Sequence, residues 1–167
     1  MTDRLSPMPL ASVISLILEP ALAMLPMAWD TPKARLMLLT IGQQESRFQY
    51  RRQQNNGPAV SFWQCEQGGG IKGVLSNSAT AGVMHNVCAE REVGFNGPAV
   101  WLAMQEDDLL GCAVARCVLY CDPRPLPDIG DVDGAWKCYA VDCWRPGKPK
   151  PETWPGYYAA ARAALGV

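Results

Sequence analysis

Two glutamates stand where a carboxyl group can act on a substrate. Glu45 ends a stretch whose apolar residues at 36–41 are too many for a surface helix, so this helix is predicted to run through the core. A glutamate at the edge of a core is partly desolvated, which suits a general acid with a raised pKa. Glu66 follows in a Gly-rich stretch and supplies a second carboxylate. A pair of this kind is typical of glycoside hydrolysis.

Short motifs surround both glutamates. Residues 45–48 read ESRF, and the triplets GPA at 57–59 and FWQ at 62–64 follow. The pattern resembles the lysozyme-like superfamily, in particular soluble lytic transglycosylases and goose-type lysozymes. Those proteins carry a helix-terminal E-S-x-F element and then a G-x-x-G-L-M-Q element. The second motif departs from the family pattern, since Ser61 stands in place of a glycine and residues 62–63 in place of Leu-Met.

The resemblance assigns roles to these residues. Glu45 would be the general acid, Ser46 a supporting hydrogen-bonding group, and Gln64 a side chain lining the groove beside the sugar. Glu66 is placed similarly to an aspartate of goose-type lysozymes. As a second catalytic carboxylate it would favour hydrolysis over the reaction that forms anhydro ends.

Two aromatic residues complete the expected substrate contacts. Trp63 offers a ring that can stack on a sugar face, although core packing is the commoner fate of tryptophan. Tyr139 is the best match to the later A-Y-N element of the family. The resemblance implies neither a metal nor a cofactor.

The implied function is cleavage of the β-1,4 bond between N-acetylmuramic acid and N-acetylglucosamine in peptidoglycan. The whole chain also resembles bacteriophage and prophage proteins. A phage protein of this kind would be made in the host cytoplasm and act on the cell wall, either as an endolysin or as part of the virion with other virion proteins as partners. The alternative is a virion structural protein that keeps a lysozyme-like fold without the activity.

Composition and charge exclude several other classes of protein. The 167 residues carry a net charge of −1, so a nucleic-acid partner held by bulk positive charge is not expected. His85 is the single histidine, which argues against a Ser-His-Asp triad. The seven cysteines form no CxxC motif and are predicted to be reduced, as is usual in a reducing cytoplasm. A basic, proline-rich stretch at 145–150 is expected to be a solvated loop.

The N-terminal residues 1–28 permit two interpretations. Arg4 and the triplet at 21–23 fit a signal peptide weakly. Because Glu19 and Pro20 interrupt the apolar run, a helix bent at Pro20 and packed on the core is preferred. The same interruptions argue against a membrane span.

The pattern of the remaining chain predicts a mainly α, lysozyme-like single domain over residues 1–167. No βαβ alternation is present, so a nucleotide-binding α/β fold is not expected. A small irregular or β-containing insert is predicted around residues 53–79, because Gly, Asn, Gln and Ser dominate there. Helices are predicted from Pro32, over 79–92, over 97–121 with a break near Gln105, after Asp133, and over 152–165.

Overall fold

Helices dominate the structure, which confirms the prediction of a mainly α chain. A computed structural model describes residues 6–167. The α-helical segments are Leu10–Val13, Glu19–Ala23, Pro32–Ser46, Lys72–Ser76, Ala81–Glu90, Gly97–Ala103, Asp108–Cys121, Val132–Lys137 and Trp154–Leu165. Ile14–Leu18, Gln67–Ile71 and Cys138–Cys143 are π-helical, and Met27–Trp29, Gln54–Asn56 and Pro151–Thr153 are short 3₁₀ turns.

The N-terminal segment is helical from Leu10 to Ala23. Residues 1–5 of the chain lie outside the part that the structure describes. Its middle, Ile14–Leu18, widens into a π-helix directly before Pro20. Proline lacks an N–H and clashes with the carbonyl four residues earlier, and a wider turn is one way to accommodate it. Among the described residues, no helix has the length and apolar character that crossing a membrane requires.

The helix Pro32–Ser46 forms the centre of the core. It begins where predicted, because the Thr31 side chain accepts a hydrogen bond from the Ala34 N–H at 3.1 Å and Pro32 fits the first turn. Its apolar residues between 36 and 41 are all buried, as their number predicted. It ends because Arg47 and Phe48 adopt positive φ angles of 56° and 52°.

The predicted insert at 53–79 is only partly irregular. Its first half contains two isolated antiparallel bridges, Arg52 with Val60 and Val60 with Cys65. Its second half, Gln67 to Ser76, is helical with a kink at Gly69, whose φ of −109° and ψ of −108° are not helical, against the loop prediction. Glycine disfavours helix, but Ile71 and Val74 bury their side chains completely, and this packing outweighs the low propensity.

The buried apolar side chains form one cluster that extends from Val13 to Ala161. Helix Pro32–Ser46 packs along helix Trp154–Leu165, and the Gln43 side chain donates a hydrogen bond to the Tyr157 carbonyl at 3.0 Å. This contact places the last helix beside the end of the central helix that carries Glu45.

Candidate functional site

An open cavity of about 560 Å³ lies where the central helix ends. One wall comes from the end of that helix and the loop that follows it, a second from the Gly-rich segment, and a third from the chain after Cys143. We call this cavity the groove. The residues that line it are Glu45, Tyr50, Arg52, Gln53, Gln54, Ala59, Gln64, Cys65, Glu66, Gly69, Gly70, Val118 and 143–148.

Glu45 occupies the last turn of the central helix and keeps part of its surface open to the groove. Its carboxyl oxygen Oε1 accepts a hydrogen bond of 2.8 Å from the hydroxyl of Tyr139. Since that bond engages one oxygen, the other is left to carry a proton. The partner is a neutral hydroxyl rather than an arginine, so the carboxyl is not committed to an ion pair at this contact.

The surroundings of Glu45 change its acidity. Burial raises the pKa of its carboxyl from 4.5 to about 7, and the hydrogen bond from Tyr139 opposes that rise only in part. At neutral pH the group is therefore protonated in a large fraction of molecules. A general acid works best when its pKa lies near the working pH, so this carboxyl is suited to give a proton to a leaving group.

Tyr139 is itself fixed by aromatic contacts. Its ring stacks on Trp154 with centroids 5.0 Å apart and planes at 10°, and it lies 5.5 Å from the ring of Trp136. The side chain is buried, and burial is also the main reason why the pKa of its hydroxyl is raised. Tyr139 was predicted to bind substrate directly. The structure instead indicates a positioning role, because the hydroxyl of Tyr139 reaches the groove through Glu45.

Ser46 joins the end of the central helix to the loop that carries Gln64. Its hydroxyl donates to the Phe62 carbonyl at 2.7 Å and accepts from the Phe48 N–H at 3.1 Å. The side chain is buried. Ser46 is thus a supporting hydrogen-bonding residue, and its contacts are with the protein backbone.

Trp63 does not lie where the sequence predicted. Its side chain is completely buried, and its indole N–H donates to the Leu38 carbonyl at 2.8 Å. The ring packs edge-on against Phe48 with centroids 5.7 Å apart. The prediction that Trp63 stacks on a sugar is wrong, because the ring is part of the core under the groove.

Gln64 and Glu66 both line the groove, as Glu45 does. Gln64 has a positive φ of 50°, and its amide nitrogen donates to the Ser61 carbonyl at 2.7 Å, which stabilises the sharp turn. Glu66 is exposed. The structure therefore brings Glu45, from the end of the central helix, to the same groove as Gln64 and Glu66, which lie on one later segment.

Several groove residues were not among the predicted site residues. Trp144 forms part of the wall, where its indole N–H donates to the Trp63 carbonyl at 3.0 Å. Arg52, Arg145 and Lys148 are exposed cations along the same groove. The basic stretch at 145–150 was the available signal, but sequence alone did not show that residues 145–148 line the same groove as Glu45.

A second cavity of about 490 Å³ continues the groove. It shares a wall with the groove, made of Gly69, Gly70, Val118, Cys143, Trp144 and Arg145. This second cavity is also lined by Asp122, Arg124 and Asp142, and Arg124 forms an ion pair with each of the two aspartates. The two cavities together give an elongated surface with Glu45 in one of them.

The described residues contain no group of three or more His, Cys, Asp or Glu side chains that are arranged to hold a metal ion. The chain matches no family model, no curated protein and no solved structure. Its function is therefore inferred from the residues that line the groove.

Proposed function

We propose that the protein cleaves the β-1,4 bond between N-acetylmuramic acid and N-acetylglucosamine in peptidoglycan, with Glu45 as the general acid. The observation that carries this proposal is the state of Glu45 in an open groove. Burial raises the pKa of the carboxyl to about 7, and Tyr139 holds one of its oxygens. A carboxyl in this state can protonate a glycosidic oxygen at neutral pH.

Glu66 supplies the second carboxylate in this mechanism. When the glycosidic bond breaks, positive charge develops on the sugar ring, and a carboxylate either stabilises that charge or activates water. Glu66 lines the groove with Glu45 and is exposed, so water has access to it. Hydrolysis at this site needs no group beyond the two carboxyls and water.

A polymeric substrate fits the shape of the site. The groove and the cavity that continues it share a wall, so a chain can extend past Glu45 along the protein. The half-buried ring of Trp144 on this wall offers a face for sugar stacking. Arg52, Arg145 and Lys148 offer positive charge for the carboxylates that the peptides of the wall carry.

The fold assignment belongs to the same proposal. A glutamate at the end of a buried helix, with a glutamine and a second acid across a groove, agrees with the lysozyme-like resemblance. We extend the proposal to a phage-encoded protein, made in the host cytoplasm and acting on the wall as an endolysin or as a virion component. The alternative is a virion structural protein without activity. A salt bridge between Glu45 and an arginine would favour this alternative, whereas Glu45 accepts a hydrogen bond from the hydroxyl of Tyr139.

The test is digestion of purified peptidoglycan followed by mass analysis of the soluble products. We expect muropeptides from the wild-type protein, with reducing ends if water is the acceptor and 1,6-anhydro ends if the substrate's own hydroxyl is. Glu90→Gln is a matched control, because Glu90 is an exposed residue at the end of helix Ala81–Glu90. Release of no products by a folded wild-type protein would contradict the proposal and favour the structural alternative.

A further inference from the structure

Two cysteine side chains meet on the segment Cys138–Cys143, which begins one residue before Tyr139 and ends one residue before Trp144. The Sγ atoms of Cys138 and Cys143 lie 3.8 Å apart. In an α-helix, residues five apart are rotated by about 140° from each other. This segment is π-helical, and its wider turn brings residue i+5 back towards residue i. The backbone conformation therefore creates the contact between the two thiols.

The two thiols differ from the buried cysteines of the core. Cys143 is half-buried and forms part of the wall shared by the two cavities, whereas Cys138 is buried and lines a separate cavity of about 160 Å³. The hydrogen bond from Cys143 is the main reason why the pKa of Cys138 is lowered. In contrast, burial raises the pKa of Cys65 and of Cys117 to about 12, which keeps those sulfurs as unreactive thiols.

We propose that Cys138 and Cys143 form a redox pair, which a low-molecular-weight disulfide such as glutathione disulfide converts into one intramolecular disulfide. This inference concerns a modification site, and it does not depend on the proposed glycosidase function. The other five cysteines remain thiols under the same conditions.

The reaction proceeds by two exchanges. Of the two groups, Cys138 has the lowered pKa, so its thiolate attacks one sulfur of the small disulfide, and one small thiolate leaves. Cys143 then attacks Cys138 Sγ in the mixed disulfide, and the second small thiolate leaves. The two protons lost by the cysteines end on the two small thiolates. The protein thus loses two electrons and two protons, and the small disulfide gains them as two thiols.

The new bond would restrain the segment that positions the candidate acid. Tyr139, which donates to Glu45, lies inside the six-residue ring that the disulfide closes, and Trp144 follows it directly. A cross-link stabilises a protein mainly by restricting its unfolded chain. We therefore expect the oxidised protein to be the more stable form, with its groove wall held in place outside a reducing cytoplasm.

The sequence allows a direct test by peptide mapping. Trypsin cleaves after Lys137 and does not cleave before proline, so its next cut falls after Arg162. The peptide 138–162 contains both cysteines of the pair and no other. The full-length protein is incubated with an excess of glutathione disulfide, denatured, alkylated and digested. We expect this peptide to be two hydrogens lighter than the reduced peptide and to carry no alkyl group, while the other cysteines are alkylated.

Two variants sharpen this test. Cys143→Ser removes the pair, whereas Cys121→Ser changes a half-buried cysteine that contacts Thr80 at 3.6 Å. Oxidation should raise the thermal midpoint of the wild type and of Cys121→Ser by about 5 °C, and should leave Cys143→Ser unchanged. Recovery of peptide 138–162 with two alkyl groups, with a retained glutathione, or cross-linked to the peptide 117–137 would overturn the proposal.

Discussion

Glu45 and Glu66 line one groove but belong to regions built in opposite ways. Glu45 ends a helix that runs through the core, and its hydrogen-bond partner Tyr139 is buried against two tryptophan rings that also contact each other. Glu66 is exposed and directly precedes the Gly-rich helix Gln67–Ile71. The core holds the first carboxyl and makes its ionisation costly, whereas water surrounds the second.

This difference assigns separate tasks to the two carboxyls. A proton donor needs an environment that keeps it protonated at neutral pH and fixed in direction, and the core side of the groove supplies both. A group that handles water needs contact with solvent, which the loop side supplies. The following predictions test whether the two environments produce two different functional roles.

The largest expected effect is that of Glu45→Gln on wall cleavage. The amide keeps the size of the side chain and can still accept the hydrogen bond from Tyr139, but it cannot give up a proton as an acid. Loss of a positioned general acid costs about a hundredfold or more in rate. The measurement is the initial rate of muropeptide release, with Glu90→Gln as the control. Near-wild-type activity in folded Glu45→Gln would show that Glu45 is not the acid.

The same substitution should affect stability with a definite pH dependence. The pKa of Glu45 rises from 4.5 to about 7 on folding, so the folded state holds the proton more tightly. Its contribution to stability is fully present below pH 4.5 and is lost as the pH rises through about 7. The loss amounts to about 3 kcal/mol, since one pH unit corresponds to about 1.4 kcal/mol.

Glu45→Gln has no such loss, so its thermal midpoint relative to wild type should rise between pH 4.5 and pH 8. Thermal denaturation of both proteins across that range measures the effect. A constant difference between Glu45→Gln and wild type would mean that the carboxyl is not desolvated in the folded protein.

The sequence predicted those features of the site that depend on neighbouring residues, and it did not predict those that depend on contacts between distant residues. The central helix and the position of Glu45 followed from Thr31, Pro32 and an apolar run too wide for a surface helix. The complete burial of the Trp63 side chain did not follow from the sequence, because it involves a hydrogen bond to the carbonyl of Leu38 in another element. Likewise, nothing near Tyr139 in the sequence indicates its bond to Glu45, which joins residues 94 positions apart.

Glu66→Gln is expected to lower the rate of hydrolysis less, by about tenfold. General acid–base catalysis by a group that is held less firmly contributes a rate factor at or below the lower end of the usual range. The product analysis is more informative than the rate. If Glu66 directs water, the share of reducing ends should fall in this variant while binding to insoluble wall is retained. An unchanged rate and product ratio would remove Glu66 from the mechanism and leave Glu45 as the single catalytic carboxyl.

Tyr139→Phe should have the smallest effect and tests how Glu45 is held. The substitution keeps the ring packed against Trp136 and Trp154 and removes only the hydroxyl, so the fold should be retained. The hydrogen bond from Tyr139 lowers the pKa of Glu45, and its loss should therefore raise that pKa further. A general acid acts while protonated, so the limb of the pH–rate profile that falls at high pH should move to higher pH.

The rate at its maximum should drop only several-fold, in line with the loss of one hydrogen bond worth about 1 kcal/mol. A profile that keeps its shape and falls uniformly would mean that Tyr139 supports only the local packing and does not act on Glu45.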